Sequence, residues 1–392
     1  MMDDSQPLDE QSDSTTLEAD SSPSRRAILG GLAGAGAAGL AALAGCTDIR
    51  GMGGDGGDAT DSLPTVENPP DVVYVPSHRE GVEPLGTVND GPYEFSAMVS
   101  YAHPFWLVTG QTLESVEIGD DADVHLMVAV RDAETGQTIP AGGALRTTIE
   151  SAGSVVDDRN PWQMLSQQMG LHAGDNVGLD GDGEYEVTVT MPPPAHRQTG
   201  SFAGRFDNSG SATFSFTYDQ SLRDALTDRI SYVDESDRGV PGAIEPMGSA
   251  GRVPLPTDLP GTLQGDQTGT GTYDPPRSDD ANVAIAVADD YLGDGEPYLL
   301  VSPRTPYNRF PLPGMAPAVT ISRDGTVVAE DRALQAAIDD GAGFHYGASI
   351  AALQPGDDLT IEMPAPPGVA RHQGYETAFL EMASVDVTLG EW

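Results

Sequence analysis

The 392-residue sequence has no lysine and only one cysteine, Cys46, and the uncharged run ahead of that cysteine is only weakly apolar. Each shortage excludes something. With one thiol, no disulfide can form within the chain. A blue-copper electron-transfer site and a cysteine-rich zinc or iron–sulfur site are excluded for want of thiolates. The 19 basic residues are all arginine, against 61 acidic ones, for a net charge of −42. That charge repels nucleic acid and acidic membranes, and it strains the fold by self-repulsion unless salt screens it. At molar salt the Debye length shrinks to about 3 Å, so the acidic surface reads as an adaptation to high salt. Also missing are a Gly-x-Ser-x-Gly elbow, a phosphate loop, a His-Glu-x-x-His helix and a dinucleotide fingerprint. Their absence points to a binding protein rather than an enzyme.

The first 46 residues read as an export signal. Ser24-Arg25-Arg26-Ala27-Ile28-Leu29 opens the mild Gly/Ala/Leu stretch that ends at Leu43-Ala44-Gly45-Cys46. Arg25 and Arg26 resemble a twin-arginine signal, and the end resembles a lipobox whose cysteine receives lipid. A transmembrane helix over Ala27 to Ala44 would be about 18 residues, marginal for crossing a bilayer. The expectation is a protein on the outer face of the cytoplasmic membrane, held there by lipid on Cys46.

Residues 47–90 are rich in Gly, Asp, Pro and Thr and read as an acidic stalk. From residue 91 to 219, short β-branched and aromatic segments alternate with Gly, Asp and Pro. Examples are Tyr93 to Tyr101, Val124 to Val130, Tyr185 to Val189 and Ala212 to Tyr218. A short helix near Ser221 to Ile230 and a Gly/Pro-rich linker fill residues 220–280, and strand-like segments resume over 281–392. The fold class expected is all-β, as tandem immunoglobulin-like sandwiches with long linkers.

A repeat supports the division. Gly170-Leu171-His172-Ala173-Gly174 matches Gly343-Phe344-His345-Tyr346-Gly347. A Met-Pro corner follows each, at Met191 and at Met363, and beyond each corner stands a further histidine, His196 and His372.

The seven histidines, at positions 78, 103, 125, 172, 196, 345 and 372, are therefore informative. On the strand from Asp123 to Val130, period two places Val124, Leu126, Val128 and Val130 on the core face and His125 with Met127 on the other. Met164 and Met169 precede His172. Imidazole with thioether suits copper, the cuprous ion above all. Met127 and Met169 equally suit packing, and His103-Pro104-Phe105-Trp106 reads as an aromatic cluster at a strand end.

These residues resemble the periplasmic ferrous iron transport proteins, small immunoglobulin-like metal binders that work beside an iron permease. The likeness lies in Asp123-Val124-His125-Leu126-Met127, in Met164 ahead of Gly170-Leu171-His172-Ala173-Gly174-Asp175-Asn176, and in His196-Arg197-Gln198-Thr199-Gly200. It spans Tyr93 to Tyr218. It implies a site of His125, Met164, His172 and His196 that binds copper or iron for a permease or redox partner, in a monomer or a homodimer. Two departures stand out: Met127 occupies the place of the family's glutamate, and the final Arg-His pair is reversed. In the second copy His345 and His372 make half a site, to be completed by Met315, Met363 or a partner chain, unless the copy is degenerate and kept for packing or docking. A surface adhesion module with structural histidines is the other reading of the same residues.

Overall fold

The computed structural model describes residues 63–265 and 273–392. Arg25, Arg26 and Cys46, and the export signal they define, lie outside the described residues. Strands dominate, and they pair into two large sheets, each accompanied by a four-stranded one. The one α-helix among the described residues, Gln220–Asp228, begins at Asp219, whose carboxylate accepts from Leu222 N at 2.9 Å. No helix among the described residues is long and apolar enough to cross a membrane.

Alternation decides which way each strand faces. In Gly210–Tyr218 the residues Ala212, Phe214, Phe216 and Tyr218 are buried while Ser211, Thr213, Ser215 and Thr217 face solvent. This strand joins Gly183–Met191, Arg146–Ser151 and Ser154–Arg159 in a four-stranded sheet with one wet face. Opposite lies an eight-stranded sheet ordered Val82–Asp90, Tyr93–Tyr101, Val124–Asp132, Gly170–Val177, Trp162–Ser166, Ala370–Arg371, Phe105–Thr109, Thr112–Val116. Here burial is two-sided. Val124, Leu126, Val128 and Val130 enter the core shared with the smaller sheet, as period two requires. On the reverse face His125, Met127 and Ala129 are also buried.

The second half repeats the plan. Gln335–Asp339, Gly343–Ser349, Tyr298–Arg304 and Ala281–Ala288 form its large sheet, and Ala318–Arg323, Thr326–Ala333, Asp358–Glu362 and Val385–Thr388 its small one. The halves also exchange strands. Ala370–Arg371, from the second half, lies parallel to Trp162–Ser166 in the first sheet, and Arg197–Gln198, from the first half, lies parallel to Gln335–Asp339 in the second. One apolar cluster runs through both halves, from Phe95, Val187 and Phe206 to Val283, Val301 and Ile361. The 234–280 segment, read from its composition as a linker, packs in part: Ile244 and Leu259 are buried, and Ile244 N donates to the side chain of Gln167 at 2.8 Å.

Candidate metal centre

The strand exchange places a histidine cluster on the reverse face of the eight-stranded sheet. His125 comes from Val124–Asp132, and His172 from Gly170–Val177, the next strand. Across the following pairing, Met164 stands opposite His172. His372 follows the exchanged strand and is pinned by its N–H, which donates to Leu165 O at 3.1 Å. His103 enters from the turn after Tyr93–Tyr101. The ring centroids of His103 and His125 are 4.2 Å apart, of His103 and His372 4.9 Å, of His125 and His372 5.5 Å, and of His172 and His372 5.2 Å. All four rings are buried.

Each ring is held by the same nitrogen. Nδ1 of His103 lies 3.0 Å from Pro104 O, that of His125 2.9 Å from Asn176 Oδ1, that of His172 3.1 Å from Gly170 O, and that of His372 2.9 Å from a Glu80 carboxylate oxygen. Every partner is an acceptor, so Nδ1 carries the proton and Nε2 carries a lone pair. All four Nε2 atoms are buried and without a hydrogen-bond partner among the described residues. An unsatisfied buried polar atom costs about 1–3 kcal/mol, which makes four in one place an expensive way to fill a core.

Donor atoms of His103, His125 and His372 lie within 4.8 Å of one another. Ligands about 2.0–2.1 Å from a tetrahedral ion are roughly 3.3 Å apart, so closing on an ion requires side-chain adjustments on the ångström scale. Met164 Sδ belongs to the same space. A Cβ placed on Gly174 would lie 3.0 Å from His125 Nε2 and 3.1 Å from Met164 Sδ, so glycine here leaves the room that the two donors share.

Charge and protonation suit a cation. Burial pushes the His172 imidazole down to about 3. It also lowers His103 and takes His125 well below the usual histidine range. Neutral rings at pH 7 offer lone pairs without first shedding protons. Among the described residues, the carboxylate that lies against them is that of Glu80, which accepts from His372 Nδ1 at 2.9 Å. Its other approach, to His103 Nε2, is 3.7 Å, beyond hydrogen-bond reach. A 340 Å³ cavity lined by His78, Glu80, His103, Trp106, Glu117 and His372, among others, opens onto the cluster.

Of the residues expected from the sequence, His125, Met164 and His172 belong to this cluster. His196 does not: its ring packs edge-on against Phe344, 5.2 Å away, and burial lowers its basicity there. Pairing His196 with His372 across the repeat is corrected by the strand registers, in which Ala370 corresponds to Arg197 and His372 to Thr199. Met127 is likewise separate, packed with Met98, Ala129 and Met169. His103 and Glu80 are members that the sequence does not mark, the one standing in an aromatic cluster and the other in a stretch with no motif, while His372, expected to serve the second copy, arrives here from the other half. Of the remaining histidines, His78 is held on both sides, by Ser77 Oγ and Tyr101 Oη, each at 2.8 Å.

Comparison with known proteins yields a family model described as a domain of unknown function (DUF7350), matched over residues 257–388. No curated protein matches the chain. Among solved structures, a copper-bound glutamate-to-glutamine variant of FetP from uropathogenic Escherichia coli strain F11 is 23% identical, covering 35% of this chain and 97% of that one, with a TM-score of 0.27. The copper-reconstituted P19 protein from Campylobacter jejuni is 18% identical, covering 35% of this chain and 96% of that one, also with a TM-score of 0.27. Likenesses at this level carry no weight in assigning the cluster, whose case stands on its own side chains.

Proposed function

We propose that the chain captures a copper ion outside the cytoplasmic membrane and passes it to a membrane transporter or redox partner. One observation carries this reading: four buried imidazoles, each tied down through Nδ1, bring unpartnered Nε2 atoms together beside a thioether. Nε2 of His103, His125, His172 and His372 and Sδ of Met164 would hold the ion, with Glu80 offsetting its charge. Mostly nitrogen and sulfur donors favour copper over ferrous iron, which would call for more oxygen. The protein's own contribution is to keep His103, His125 and His172 neutral by burying them, fix the orientation of all four rings and leave a cavity through which the ion enters and leaves.

The same reading takes the protein as a lipoprotein tethered through Cys46 and exported under the Arg25-Arg26 signal, as a distant relative of the periplasmic iron transport proteins. Binding rather than catalysis is its activity. The test is metal analysis of protein purified in concentrated salt. Near-stoichiometric copper that disappears in His172→Ala is the expected result. A wild-type protein that takes up no copper from a stoichiometric supply would overturn the proposal and leave an interaction module with structural histidines. Tethering is tested separately, by whether Cys46→Ser releases the protein from membranes.

A further inference from the structure

From the His125 strand onward the two halves correspond at a separation of 173 residues (345 − 172), and the strand before it at 188 (288 − 100), which sets Tyr291 in the place of His103. His125 stands across from Asn176, and Tyr298 stands across from Ser349. Met164 stands across from His172, and Ala337 across from His345. The exchanged strands keep the same register: Ala370 pairs with Met164, and Arg197 with Ala337. Two residues on, His372 donates its N–H to Leu165 O at 3.1 Å and Thr199 donates its own to Ile338 O at 3.0 Å. The His345 position thus has Tyr298 for His125, Ala337 for Met164 and Thr199 for His372.

His345 keeps the tautomer of His172, with Nδ1 at 3.1 Å from Gly343 O as His172 Nδ1 is from Gly170 O. What differs is the other nitrogen. Tyr298 Oη lies 3.0 Å from His345 Nε2, whereas Nε2 of His172 has no partner among the described residues. A phenol in this place donates to the lone pair an ion would take. The hydroxyl also fills space that its counterpart leaves clear, since a Cβ on Gly347 would collide with Tyr298 Oη. Thr199 is turned away, its Oγ1 donating to buried Asp339 at 2.9 Å.

We infer that the His345 position is a degenerate copy of the metal site, in which the Tyr298 hydroxyl closes off the one imidazole that remains, so that the chain takes one ion rather than two. The inference rests on the metal reading of the first site. It makes the chain a two-fold assembly within one polypeptide, in which one half supplies the ion site and the other supplies His372.

The experiment is copper counting per chain after gel filtration, on wild type, His172→Ala, His345→Ala and the triple variant Tyr298→His/Ala337→Met/Thr199→His. Wild type should hold one copper, lost in His172→Ala and kept in His345→Ala, and the triple variant should hold two. A wild type with two coppers, one of them lost in His345→Ala, would overturn the closure while leaving the first site standing. A folded triple variant that still holds one would overturn the kinship of the sites. If the triple variant does not fold, the wild-type count with the His345→Ala result decides closure. Loss of all copper binding in wild type would instead refute the proposed function itself.

Discussion

Asn176 touches two ligands of the cluster at once. Its Oδ1 lies 2.9 Å from His125 Nδ1, and its Nδ2 donates to the backbone carbonyl of His103 at 2.9 Å. Because the side-chain oxygen accepts, it selects the His125 tautomer whose Nε2 faces the cluster. Partners of this kind are worth about 10–100-fold in metal affinity. Asn176→Ala should therefore weaken copper binding by about that factor. Asn176→Asp, which keeps the acceptor, should recover much of the His125 contribution. Competition against a chelator of known affinity measures both, and an Asn176→Ala protein that binds like wild type would show that the ring is oriented by packing alone.

Gly174 tests whether the space between His125 and Met164 matters. An added methyl would press on His125 Nε2, on Met164 Sδ and, at 3.2 Å, on the Leu126 carbonyl. Overpacking of this sort costs about 1–3 kcal/mol, so Gly174→Ala should remain folded in concentrated salt while losing copper affinity by tenfold or about one decade more. Circular dichroism and a copper titration on the same sample separate the two effects. Full affinity in a folded variant would place the ion elsewhere.

The part of the site visible in the sequence is the part built from neighbouring strands. His125 is marked by its place opposite an aliphatic face, and His172 by a Gly-x-His-x-Gly repeat in which Gly170 and Gly343 both take the left-handed φ of 66°. The all-β class follows from alternation as plain as that of Gly210–Tyr218. His372 and Glu80 were illegible because 292 residues separate them, and only the strand exchange brings them together. Local similarity also misaligned the repeat: a histidine beyond each Met-Pro corner matched His196 to His372, three residues away from the structural counterpart Thr199. Burial on both faces of Val124–Asp132 was hidden as well, since nothing local in the sequence shows that His372 meets His125 or that Met98 and Met169 pack on Met127.

His372 and His196 give the sharpest contrast between sequence expectation and geometry. Removing the His372 ring takes one of the four convergent nitrogens and leaves Glu80 without its Nδ1 donor. His372→Ala should lower copper affinity by at least about tenfold, the smaller end of what even an indirect partner is worth. His196→Ala should leave affinity unchanged and cost only the packing against Phe344. If the two variants exchanged these results, the exchanged strand would have no part in binding.

Acid should destabilise the metal-free protein partly through His345, which lies outside the proposed copper site. Burial pushes its imidazole from 6.5 down to about 4. Between those values the unfolded chain binds a proton that the folded chain refuses, so stability rises with pH across the window. The contribution is fully present above pH 6.5 and is lost as pH falls toward 4. His345→Gln stays neutral throughout and can still accept from Tyr298. In metal-free protein at constant high salt, the fall in Tm from pH 7.5 to about 5 should be shallower for His345→Gln than for wild type. Parallel curves would mean that His345 is protonated as readily in the folded protein as in the unfolded chain, and that the Tyr298 hydroxyl does not cap its lone pair.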